Sequence, residues 1–179
     1  MESAGRDSLI GCCGLYCGLC SKYQSKAPSR CVGCKLGEQH SWCSIWSCCV
    51  HKKGLETCAA CDEVFRCEIF LRRKVAEWVP ASGNLRRIGE IGVREWLADQ
   101  EARRALAERL LLEYNEGRSM SFYCRSCANL PLELVREALK ETDRRLAGDR
   151  MDASDMRLRA KVLRGLIRDK ALKADIPLD

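Results

Sequence analysis

Twelve of the chain's 14 cysteines fall between Cys12 and Cys67, and only Cys124 and Cys127 lie outside that stretch. This clustering constrains the fold more than any other feature. Residues 12–67 are rich in Gly, Cys and Ser, carry few large aliphatic side chains and show no helix-length or strand-length hydrophobic pattern. A segment so poor in apolar surface cannot be held together by burial alone, so its cysteines must supply folding energy. The N-terminal residues MESAGRDSLIGCCGLYCGLC lack the basic start, apolar core and small-residue cleavage site of a secretory signal. No apolar run approaches the roughly 18 residues that span a bilayer. The expected setting is therefore the cytoplasm, where thiols stay reduced and a cysteine cluster holds metal more often than disulfides.

The spacing sorts the thiols into groups. Cys13-x3-Cys17-x2-Cys20 is a triplet, Cys31-x2-Cys34 a pair, Cys43-x4-Cys48 a looser pair, and Cys58-x2-Cys61-x5-Cys67 a second triplet. A two-residue gap lets both sulfurs converge on one metal while the intervening amides point at them. Gly14, Gly18 and Gly33 beside these ligands fit the tight turns involved. Two Cys-x2-Cys pairs, such as 31/34 and 58/61, are the usual zinc arrangement. Three close cysteines with a remote fourth are commoner for a four-iron cluster, and both triplets have that shape. The expected cofactor is thus an iron–sulfur cluster of the [4Fe-4S] type, two in number, with zinc as the alternative. The first triplet also matches the radical S-adenosylmethionine motif, but the barrel hosting that chemistry needs about 200 residues or more, and the rest of this chain shows no βα alternation.

The adjacent pairs Cys12–Cys13 and Cys48–Cys49 each read as one ligand and one spare thiol. His40 and His51 could ligate, though thiols already suffice and surface positions are expected. Trp42 and Trp46 read as a minimal core or as a water shield over a cluster. Cys124-x2-Cys127 has three readings: completion of a metal site, a redox dithiol placed just before a helix, or two half-buried thiols.

Beyond Glu68 the composition turns helical. Glu68–Val79 carries Ile69, Phe70, Val75 and Trp78 at helical spacing and stops at Pro80. Asn84 reads as the N-cap of a helix to about Gln100, with Leu85, Ile88, Ile91 and Trp96 on one face. Helix continues over Glu101–Tyr114, NEGRS at 115–119 is a turn, and further helices run from about Pro131 to Leu146 and over Met156–Ala174. The basic face of the last helix (Arg157, Arg159, Lys161, Arg164, Arg168, Lys170, Lys173) reads by default as solvated. The fold expected is mainly α: a small, irregular, metal-binding module over 10–68, packed on a helical bundle over 69–179.

The motifs CGLYCGLC (13–20), CVGC (31–34), CSIWSC (43–48), KKGLETCAACDEVFRCEIF (52–70), GNLRRIGEIGVREWLADQE (83–101) and NEGRSMSFYC (115–124) resemble the cysteine-rich prokaryotic proteins of domain-of-unknown-function family 3795. The similarity covers roughly 10–140. It implies a metal-binding protein, often of anaerobes. The implied ligands are Cys13, Cys17, Cys20, Cys31, Cys34, Cys43, either Cys48 or Cys49, Cys58, Cys61, Cys67 and Cys124, with Cys12 and Cys127 as extras.

Charge narrows the partners. The formal value is +6, from 31 Lys and Arg against 25 Asp and Glu. A tetrathiolate centre, zinc or oxidised cubane, carries about −2, so two centres offset most of that excess. A protein redox or assembly partner is therefore expected, without a membrane and without tight nucleic-acid binding. No Gly-rich phosphate loop, carboxylate–histidine metal motif, nucleophile elbow or triad is recognisable, so no catalytic constellation identifies an enzyme. The functional expectation is iron–sulfur electron transfer or accessory and maturation work in anaerobic metabolism. The alternative is a structural zinc module that binds a protein or nucleic acid.

Overall fold

The computed structural model describes residues 9–72, 81–148 and 154–178. It is mainly α, as expected. The helices are α1 (Ser21–Gln24), α2 (Ser44–Trp46), α3 (Glu68–Arg72), α4 (Ala81–Ile91), α5 (Val93–Glu113), α6 (Met120–Asn129), α7 (Leu132–Gly148) and α8 (Met156–Lys173). Among the described residues the β pairing amounts to one bridge, Ile10 with Tyr16. The chain divides into two compact units, residues 1–102 and 103–179, and the division falls inside α5.

In the first unit the cysteine-rich segment runs as short turns: 3-10 turns at Cys17–Leu19, Glu38–His40, Cys58–Ala60 and Val64–Arg66, and a π-helical stretch over Ser47–Lys52 directly after α2. Its core is unusual in kind, because thiols supply much of it. Cys12, Cys13, Cys49 and Cys58 are buried together with Ile45, Val64, Phe70, Ala81 and Leu85. Ala81 and Leu85 belong to α4, so this helix lies within the cysteine unit. The change of composition at Glu68 therefore does not coincide with the edge of the unit: a thiol-rich segment short of aliphatics closes its core with side chains from the next helix.

Two helix boundaries differ from the pattern. The helix stopped by Pro80 is described over Glu68–Arg72, and 73–80 lie outside the described residues. Asn84 is not an N-cap; α4 already starts at Ala81, and Asn84 spends its amide on a long-range bond, Nδ2 donating to the Gly14 carbonyl at 2.8 Å. The helix does not run through to Gln100 either. It breaks at Gly92, whose φ of 80° strongly favours a residue without a Cβ, and restarts at Val93. Trp96 is fully buried and meets Tyr16 edge-on, with centroids 5.9 Å apart.

In the second unit, the NEGRS turn is present, and Asn115 Oδ1 accepts from the backbone N–H groups of Gly117 and Ser119 at 3.1 Å each. Asp155 caps α8 by accepting from the N–H of Arg157 and Leu158. Leu163 and, three and four residues further along the same face of α8, Leu166 and Ile167 are buried. They pack toward α7, where Val135 and Leu139 are buried in turn.

Candidate metal centre

Cys12, Cys49 and Cys58 are brought together by backbone pairing across a long chain separation. The Cys58 N–H donates to the Cys12 carbonyl at 2.8 Å, and Thr57 Oγ1 donates to the same oxygen at 3.5 Å. Cys49 arrives on the π-helical stretch, a widened turn of the kind often found at functional sites. The three sulfurs are buried and lie within 4.8 Å of one another, close enough to share one metal ion. Within the group Cys49 is the thiol that its neighbours most favour ionising, and in its protonated form its Sγ donates to the Leu55 carbonyl at 3.3 Å. Bonds donated by Cys12 and then Cys58 pull the Cys49 thiol down to about 4. Cys12 is pushed up, first by donating to Cys49. Since thiolate is the metal-binding form, the group is prepared for a cation.

Beside this group opens a cleft of about 260 Å³. Cys48, Cys49, Cys58, Cys61 and Cys67 line it, with Ile45, Leu55, Val64, Ile69 and Phe70 as its apolar wall. Lys53 and Arg66 add positive charge to the lining. Lys53 Nζ donates to Cys61 Sγ at 3.3 Å and to Glu63 at 2.5 Å, and these partners, Glu63 first, hold its ammonium form well above the usual lysine range. Glu63 is correspondingly held down by Lys53.

A second set of thiols gathers around Cys17 and Cys34. Cys17 donates to Cys34, which lowers Cys34 to about 6, with the His40 charge as a further lowering influence. Cys17 is raised by the same bond and by burial, and it also senses Cys31. Cys13 is pushed up to about 11, chiefly by burial and then by the charges of Cys34 and Cys43. The Gly33 N–H points at Cys31 Sγ from 3.4 Å, the amide-to-sulfur contact that the two-residue gap implies. Cys20 is exposed.

The histidines and tryptophans are placed as follows. His40 stacks on Trp46 with centroids 4.7 Å apart, and its Nδ1 lies 2.8 Å from the Cys34 carbonyl, which occupies that nitrogen. His51 and Trp42 are exposed, whereas Trp46 packs against the thiol-rich core. Cys12 is the residue that spacing alone passes over, because its partners are long-range; its one local signal is its adjacency to Cys13.

Cys124 and Cys127 lie in the second unit, within α6 and not just before a helix. That removes the helix-dipole activation behind the redox-dithiol reading, which needs thiols at a helix N-terminus. Both are buried, and burial pushes the Cys127 thiol up to about 12. The carbonyls of Cys127 and Leu130 at the end of α6 both accept from Arg103 Nη1, at 2.9 and 2.8 Å. No helix among the described residues is long and apolar enough to cross a membrane. No family model matches the chain, and no curated protein or solved structure matches it.

Proposed function

We propose that this cysteine-rich chain is an iron–sulfur protein that transfers single electrons to, or helps to assemble, an enzyme of anaerobic metabolism. The observation that supports this reading is the cleft ringed by five cysteines. At about 260 Å³ it is far larger than a single ion needs, since one ion fills only the gap among four sulfurs about 2.3 Å from it. A polynuclear cluster brings iron and sulfide of its own and needs such space. Bound there, it would supply one-electron chemistry. The chain's own residues bind it through sulfur, exclude water with Phe70, Ile69 and Val64, and offset thiolate charge with Lys53 and Arg66. The thiols around Cys17 and Cys34 are the place for a second centre.

One observation favours the zinc alternative: three sulfurs within 4.8 Å suit a single tetrahedral ion completed by one cleft cysteine. Anaerobic purification with metal and acid-labile sulfide analysis separates the two. The cluster reading expects brown protein with iron and sulfide in equal amounts, and colourless protein with stoichiometric zinc and no sulfide overturns it. In either case Cys12→Ser should weaken the centre at least about tenfold, because losing even a residue that only hydrogen-bonds to a ligand already costs about 10–100-fold.

A further inference from the structure

The second unit holds a cavity of about 530 Å³ whose chemistry is unlike the thiol sites. Arg157, Lys161, Arg164 and Arg168 line it from α8, and Glu116 and Arg118 from the turn before α6. The four α8 positions are spaced by 4, 3 and 4 residues and share one helix face. Five cations face one carboxylate.

Elsewhere on this unit many of the cations sit beside carboxylates. Arg104 pairs with Glu108, Arg109 with Glu113, Arg136 with Glu133, Arg144 and Arg145 with Glu141, and Lys170 with Glu137. In the cavity only Arg164 meets a carboxylate among the described residues, Glu116 at 3.6 Å. Two buried atoms there, Arg164 Nε and Glu116 Oε2, lack a hydrogen-bond partner among the described residues. Like charges along one helix face repel, so the arrangement is disfavoured until an anion neutralises it.

The side chains narrow the anion's class. Four of the five cations are arginines, whose planar forks grip phosphate oxygens two at a time. Arg164 and Arg168 lie over the Phe122 ring, 5.6 and 5.1 Å from its centroid, which orders their guanidinium groups in advance. Phe122 is itself buried, so it offers no exposed ring on which a base could stack. The volume falls in the ordinary range of small-ligand clefts, about 300–1,000 Å³, and is generous for one phosphate.

We propose that this cavity binds a compact polyphosphate: the phosphoanhydride chain of an inorganic or nucleoside triphosphate. The test is calorimetric titration of full-length, metal-loaded protein at about 0.15 M salt, a condition that screens loose surface attraction. Tripolyphosphate should bind with a dissociation constant in the micromolar range, roughly 1–100 μM. Arg157→Ala with Lys161→Ala, both at exposed helical positions, should weaken binding at least about tenfold with helicity unchanged. Arg144→Ala with Lys173→Ala removes the same charge elsewhere on the unit and should leave affinity within about twofold. Should the first pair lose helicity, Arg118→Ala on the turn makes the same comparison. ATP separates the sources: affinity equal to tripolyphosphate identifies the free chain, and tighter binding the nucleoside form, both in support. Millimolar or absent binding overturns the proposal, as does equal loss in both variant pairs or equal affinity for citrate. So does an oligonucleotide that binds more tightly than tripolyphosphate, which would make the face a nucleic-acid surface instead.

Discussion

Gly14 shows how tightly one residue can tie the thiol-rich segment to its cap. Its φ is 85°, and a Cβ there would sit 2.8 Å from both the Ala81 carbonyl oxygen and Leu85 Cγ. Its own carbonyl takes the Asn84 bond. Gly14→Ala therefore meets both a strained backbone and a steric collision with α4. It should cost the first unit about 1–3 kcal/mol, read as a lower urea midpoint of tryptophan fluorescence. All four tryptophans (Trp42, Trp46, Trp78, Trp96) precede residue 102, so this signal reports the first unit. A midpoint shift near zero would mean that α4 is not seated on Gly14.

The helical elements show what periodicity can and cannot convey. Buried positions on α5 and α8, such as Leu106, Leu110, Leu163 and Ile167, follow from apolar spacing. Asn84 before an apolar run looks like a cap, yet its partner is 70 residues away, and a sequence pattern carries no such contact. The thiol groups divide the same way. Local Cys-x2-Cys geometry is legible in the Gly33 amide aimed at Cys31, while the approach of Cys12 to Cys49 and Cys58 depends on backbone pairing between distant turns. The pair on α6 reads as ambiguous in sequence because a Cys-x2-Cys spacing also fits one turn of helix. Its burial gives a definite expectation. With folded Cys127 raised from an ordinary 9.0 to about 12, the thiol stays protonated in the native unit. Cys124 and Cys127 should resist iodoacetamide at pH 8 and react only on unfolding, as measured by mass spectrometry. The same shift means that unfolded chains release this proton first as pH rises, so this contribution to the second unit's stability falls between about pH 9 and 12. Fast native labelling at neutral pH would contradict this.

For the molecule as a whole, the two units differ in what holds them. The second carries ordinary apolar packing, with Tyr114, Tyr123, Leu130, Val135 and Leu163 all nearly inaccessible, and Tyr123 Oη donating to the Tyr114 carbonyl at 3.0 Å. The first buries thiols in place of aliphatic side chains, and a metal bound to them would supply much of what a larger apolar core would provide. Stripping metal with a strong chelator should therefore collapse the tryptophan signal of the first unit while much of the far-ultraviolet helicity, contributed by the second half of α5 and by α6, α7 and α8, survives. Simultaneous loss of both signals in one transition would show a single cooperative core.

The chain order of these units sets a schedule for biosynthesis. Every thiol around the cleft precedes residue 68, and Ala81 and Leu85, which close its core, follow within the same unit. When Ala102 is added on the ribosome, the residues of the second unit, 103–179, are all still to be made. At about 5–20 residues per second this takes roughly 4–15 seconds. The nascent chain thus carries Cys12, Cys49, Cys58 and the other thiols of the cleft before the second unit has been translated.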